Sequence, residues 1–93
     1  MKTFEEANQT VHKVEDQWHY ARLTSIGFVP ETKERTGFVR TYHYRHADGR
    51  TVRATTGASA DHWEGFSAEG KSIAGGYWAD MDKWVKPQQE LLS

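Results

Sequence analysis

Cysteine is absent from this 93-residue chain, proline occurs only twice, and branched aliphatic side chains are scarce. Without cysteine there is no disulfide framework, no thiolate metal site and no thiol nucleophile, a composition that suits a reducing compartment. No apolar run approaches the roughly 18 residues of a membrane span, and the opening Met1-Lys2-Thr3-Phe4-Glu5-Glu6 lacks the apolar stretch of a secretion signal. These absences predict a soluble, cytoplasmic protein with no membrane partner. The length suits a single domain over residues 1–93 with one hydrophobic core, its folded part spanning 1–86 and a tail spanning 87–93.

What the chain does hold is aromatic. Six Val, two Ile and three Leu are outnumbered by twelve Phe, Trp and Tyr. The core must therefore be built largely from rings, and a buried Tyr or Trp needs a partner for its polar atom. Charge is nearly balanced at −1 but unevenly placed. Residues 1–34 carry four Lys/Arg against six Asp/Glu, residues 35–57 five against one, and residues 58–93 three against six. A basic middle between acidic flanks points to a local cationic surface rather than to a generally basic nucleic-acid binder.

Phe4, Ala7, Val11, Val14, Trp18 and Ala21 recur at steps of three and four, which predicts an amphipathic helix over 3–24. Thr3 and Glu6 resemble a capping box at its start, and Gly27 lies just past its end. Its polar face carries His12, Asp16 and His19. Gly27 to Pro30 and Gly37 onward read as strands joined by a polar turn from Glu31 to Thr36, with Pro30 placing the first strand at an edge or ending it.

Asp48-Gly49, between alternating segments, is the strongest hairpin signal. A three-residue loop with Gly49 in the left-handed conformation sets Tyr44 against Val52 and Tyr42 against Ala54. That register turns Phe38, Tyr42, Tyr44, Val52 and Ala54 toward the helix, and Thr41, His43, Arg45, Thr51, Arg53 and Thr55 outward. After Gly57, Ser59 is expected to cap a short helical turn holding Trp63 and Phe66. Ser67 to Gly76 reads as loop, and a second helix runs from Tyr77 to Lys86 until Pro87 stops it. The expected fold class is two-layer α+β, in the order α-β-β-β-α: an N-terminal helix and a short C-terminal helix packed on one face of a three-stranded antiparallel sheet.

Gly65-Phe66-Ser67-Ala68-Glu69-Gly70-Lys71-Ser72 fits a phosphate-binding loop, but no apolar strand is expected before it, and Gly75-Gly76 would break the helix such a loop requires. His12 and His19 lie roughly 10 Å apart along a helix axis, too far to hold one ion together. His43 and His46 fall on opposite faces of a strand. No metal and no cofactor are expected. Ser59, Asp61 and His62 would make a small hydrolase only if they converged on one pocket; a capped helix start explains the first two.

The outward hairpin face, with His43, Arg45 and Arg53 extended by Arg50 at the turn, is the leading candidate surface. Trp63 and Trp78, with Trp84 and Tyr77, are candidate interface anchors if the core does not bury them. The reading is a small non-enzymatic binding protein that contacts a protein partner, itself included, as an inhibitor or adaptor of the phage or mobile-element type. The alternatives are nucleic-acid binding through hairpin 38–56 and hydrolysis by Ser59, Asp61 and His62.

Overall fold

A computed structural model describes residues 13–57 and 60–92. The Asp48-Gly49 signal sits where it was expected. Residues 47–49 form a three-residue loop closed by the His46 N–H donating to the Arg50 carbonyl at 2.9 Å, and Gly49 adopts φ +96°. Strands β2 (Val39–His46) and β3 (Thr51–Thr56) pair with Tyr42 opposite Ala54 and Tyr44 opposite Val52, and all four side chains are buried.

The sheet around this hairpin is larger than three strands. β1 (Phe28–Thr36), β4 (His62–Phe66) and β5 (Ser72–Tyr77) complete a five-stranded antiparallel meander in the order β1-β2-β3-β4-β5. The expected three-stranded arrangement is thus overturned. The segment expected to hold a helical turn with Trp63 and Phe66 is β4, and the expected loop from Ser67 is a tight reversal into β5, closed by the Ser67 N–H donating to the Lys71 carbonyl at 2.8 Å. The phosphate-loop look-alike is therefore a β-hairpin turn, followed directly by strand β5 rather than by a helix. Ser59 lies outside the described residues.

At the other edge, β1 passes through Pro30, where the register shifts, and continues along the polar stretch expected to be a turn. Its proline and bulge are tolerated because an edge strand needs only one ladder of hydrogen bonds. The turn falls instead at Gly37-Phe38, beyond the helices. Phe38, expected in the core, is 81% exposed there.

The amphipathic pattern over 3–24 does not give one continuous helix. Residues 3–12, including the capping box and His12, lie outside the described residues. The remainder forms a 3-10 turn at Val14–Asp16, an extended Gln17 (ψ 148°) and a five-residue helix α1 (Tyr20–Thr24). The break turns His19 inward, away from the polar face predicted for it, so that it reaches Tyr44. Helix α2 (Trp78–Leu92) outruns its expected end and contains Pro87. Proline denies the helix one N–H donor. Just beyond it, the Gln88 side-chain amide donates to the Trp84 carbonyl at 3.1 Å, tying the segment back to the preceding turn.

The core lies between the helices and one face of the sheet: Leu23 of α1 and Met81 and Val85 of α2 meet Phe28, Tyr42, Tyr44, Val52, Ala54 and Trp63. Trp84 spans two of these rings, 5.1 Å from Trp63 and 5.9 Å from Phe28 between centroids. Arg22 bridges the helices through a 2.7 Å ion pair with Asp82, and also donates to the Trp18 carbonyl. The molecule is a small α+β domain with an aromatic cluster at its centre. Among the described residues, no helix is long and apolar enough to cross a membrane.

Candidate functional site

The outward face of the β2–β3 hairpin carries the cations expected on it, but not as a free basic patch. The strands on either side bring carboxylates across. Glu31 of β1 meets Arg45 at 2.9 Å, and Glu64 of β4, directly opposite Arg53, meets it at 2.8 Å. Glu34 stands 3.6 Å from His43, beyond hydrogen-bond reach but near enough to offset its charge when protonated. The result is a ladder of alternating sign, and such a ladder attracts phosphates far less than three convergent cations would. Thr55, expected outward with them, is buried because it sits on the central strand between Thr41 and His62.

Arg50 leaves this face altogether. Its guanidinium lies 5.2 Å above the Phe28 ring and 6.0 Å from Trp84, and it donates to Asp48 at 2.7 Å and to Gln88 at 2.8 Å. It joins the hairpin turn to α2, a structural role rather than an exposed contact. Trp63 is likewise core: it is buried, and its indole N–H donates to the Tyr77 carbonyl at 3.1 Å. Of the three tryptophans expected as anchors, Trp84 is half-buried against the core and Trp78 alone is open, 51% exposed at the start of α2.

Asp61 and His62 do not approach a common centre. The Asp61 carboxylate accepts from the Thr56 hydroxyl at 3.0 Å on the helix side of the sheet, whereas His62 lies exposed on β4. Neighbouring residues of an extended segment point to opposite sides. His43 and His46 diverge for the same reason: His46 tucks its ring against Phe28 and bonds the Ile26 carbonyl at 3.0 Å. Among the described residues, no three His, Asp or Glu side chains gather as metal ligands.

His19 is the polar group that sequence reasoning misplaced most. It is wholly buried, ringed by Trp18, Tyr42 and Tyr44, with Nδ1 2.5 Å from the Tyr44 hydroxyl. Burial holds its pKa down at about 4, although the Asp61 carboxylate pulls the other way. Burial also raises the pKa of the Tyr44 phenol, so both groups are neutral at pH 7. Nδ1 and the phenol share one hydrogen bond whose direction follows the imidazole tautomer, and Nε2 has no partner among the described residues.

Large exposed apolar side chains fall in three places among the described residues: Val29 and Phe38 on β1 and its turn, Leu91 and Leu92 at the end of α2, and a group of three at the β5 edge. Ile73 is 49% exposed, Tyr77 68% and Trp78 51%. Ile73, Gly75 and Tyr77 share the outward face of β5, so two apolar side chains stand on either side of a gap with no side chain. This gap opens into a depression of about 530 Å³ lined also by Arg53, His62 and Glu64. β5 contains no charged residue, whereas the opposite edge, β1, carries Glu31, Lys33, Glu34 and Arg35 along with Pro30 and its bulge. Charge, proline and bulges are the usual means of keeping a sheet edge from pairing; β5 contains no charge or proline, but its register against β4 shifts at Ile73, and the Tyr77 N–H donates to the Asp80 carboxylate at 3.0 Å.

The chain matches no protein family, no curated protein and no solved structure. The surfaces themselves must therefore carry the functional argument. The β5 edge had one legible sign in the sequence, the apolar residues Ile73, Tyr77 and Trp78 spaced around Gly75-Gly76. That sign was hidden because two glycines in six residues read as loop.

Proposed function

We propose that this is a small non-enzymatic binding protein that works by contact with another protein, and that the contact is made by the β5 edge with Ile73, Tyr77 and Trp78. The observation carrying this reading is the grouping of exposed Ile73, Tyr77 and Trp78 along an edge strand that contains no charged residue. Exposed aromatic anchors beside an apolar side chain favour a protein partner. The alternating ion pairs over Arg45 and Arg53 favour a solvated face over a phosphate-binding one.

Capture from native lysate tests the reading by comparing the unmodified chain with Tyr77→Lys and Trp78→Ala. Partners retained after nuclease and about 0.5 M salt, where exposed ion pairs are heavily screened, and lost with either substitution support it. Arg45→Ala should retain them. Retention by Tyr77→Lys and Trp78→Ala with loss by Arg45→Ala would overturn the assignment in favour of the hairpin face, and release by nuclease alone would favour a nucleic-acid partner.

A further inference from the structure

The geometry points to the depression beside Gly75 as a binding site for a neutral sugar ring. It lies on the outward face of the sheet and needs no hydrogen bond from the β5 edge, so it stands apart from the protein contact, with Tyr77 common to both. Strand register builds it. His62 faces Tyr77 across the β4–β5 ladder, Glu64 faces Gly75, and Phe66 faces Ser72. Arg53 of β3, opposite Glu64, shares that face. Because Gly75 has no side chain, the middle row is hollow at its outer end. The rows that bound it are four residues apart on β4, roughly 13 Å, which admits a single six-membered ring between them. The volume of about 530 Å³ falls within the range of small-molecule sites.

The residues around the hollow decide what fits. Arg53 and Glu64 are already paired at 2.8 Å, so they present donors and an acceptor side by side with no net charge. The Phe66 ring, 5.5 Å from the Arg53 guanidinium, helps hold it in place. An anion brought to Arg53 meets Glu64, and a cation brought to Glu64 meets Arg53. A wholly apolar ligand would strip water from both without replacing its hydrogen bonds. What remains is a neutral molecule that donates and accepts at neighbouring atoms, as the adjacent hydroxyls of a sugar do. His62 and Ser72, whose side chains bond no other described residue, extend the polar lining on either side of the pair. Tyr77, 68% exposed, supplies an aromatic wall for the apolar C–H face of the ring. Polar groups thus surround the hollow instead of lying along one side of it. That distribution matches hydroxyls set around a pyranose rather than the single hydrogen-bonding edge of a nucleobase. A nucleotide's phosphate would find no unpaired Arg or Lys among the lining residues.

Methyl glycosides of glucose, galactose, mannose and N-acetylglucosamine test the assignment when titrated into the isotope-labelled chain and followed by amide NMR. Concentrations should reach about 50 mM, because a ligand of about a dozen non-hydrogen atoms on an open site binds weakly. At least one glycoside should give saturable shifts confined to residues 62–64 and 72–77. Tyr77→Ala should weaken that binding by at least about 10-fold through loss of the aromatic wall, whereas Phe38→Ala, exposed beyond the opposite edge, should leave it unchanged. Glucuronate should bind the unmodified chain more weakly than the neutral glycoside. Glu64→Gln leaves Arg53 unpaired and should reverse that preference. The substituted side chains stand on the outward face or at an exposed turn, so the fold should persist, and the amide spectrum reports it directly.

No saturable shift from any of the four glycosides, or shifts spread over the whole chain, would overturn the site. A stronger response to adenosine or guanosine than to every glycoside would overturn the sugar and mark a base-binding face instead. An unchanged preference in Glu64→Gln would overturn the role given to the Arg53–Glu64 pair. Glu64 lies off the edge strand, so Glu64→Gln should still capture a protein partner, and failure of the sugar site is thereby told apart from failure of the edge contact.

Discussion

His19 Nδ1 and the Tyr44 hydroxyl lie 2.5 Å apart in the closed interior, linking the residues just before α1 to the centre of β2. Burial there disfavours an imidazolium, which would carry its charge away from water. That cost makes folding sensitive to acid.

The histidine pKa falls from 6.5 unfolded to about 4 folded, chiefly through burial. Between these values the unfolded chain binds more protons, so stability is complete above about pH 6.5 and is lost as the pH falls toward 4, by about 3 kcal/mol from this group alone. Urea unfolding at pH 7.5 and pH 4.5 should show the difference, and His19→Gln should flatten it. An unchanged slope in the variant would show that other groups carry the acid response.

Gly57 should be far less replaceable than Gly70, although both have positive φ, +123° and +85°. A Cβ on Gly57 would stand 2.0 Å from the Phe38 carbonyl oxygen, whereas on Gly70 it would meet nothing. Gly57→Ala should cost about 3 kcal/mol or more, because backbone must move as well as rotate, and Gly70→Ala about 1 kcal/mol. Denaturant midpoints of the two variants check this; equal losses would mean that the tip of the β1–β2 hairpin yields freely.

Arg50→Ala should destabilise by about 1–3 kcal/mol, since it removes the guanidinium over Phe28 and Trp84 and leaves Gln88 without its donor. Arg45→Ala, which breaks only an exposed pair with Glu31, should change stability by less than about 1 kcal/mol. Thermal melts of both would expose a wrong assignment if their order were reversed.

Much of the hairpin was legible because its inward positions alternate Tyr42, Tyr44, Val52 and Ala54 around an Asp-Gly turn that admits few geometries. β4 was not. Its inward residues are Trp63 and Gly65, and its neighbour β5 carries Gly75 and Gly76, so neither strand shows the β-branched alternation of a half-buried sheet. What buries them is Trp84, a residue distant in sequence and brought over by α2. The helical spacing of Val14, Trp18 and Ala21 continued through Gln17, and only the tertiary bond from His19 to Tyr44 reveals why the helix breaks there. Arg45 and Arg53 point outward as their alternation predicts, but Arg50 does not, and the neutralising Glu31 and Glu64 lay on segments not recognised as strands.

Trp63→Phe offers a further check on the division between core and contact surface. It should cost about 1–3 kcal/mol through the lost indole bond to Tyr77 and poorer packing on Trp84, and leave partner capture intact once the variant is folded. Loss of capture by a folded variant would place Trp63 in the binding surface after all.

Because every strand of the meander pairs with its immediate chain neighbours, the sheet can zip up hairpin by hairpin as the polypeptide leaves the ribosome, with short loop closures at each step. β5 arrives last and carries α2 with it, so the aromatic interior stays open to water until Trp84 drops between Phe28 and Trp63.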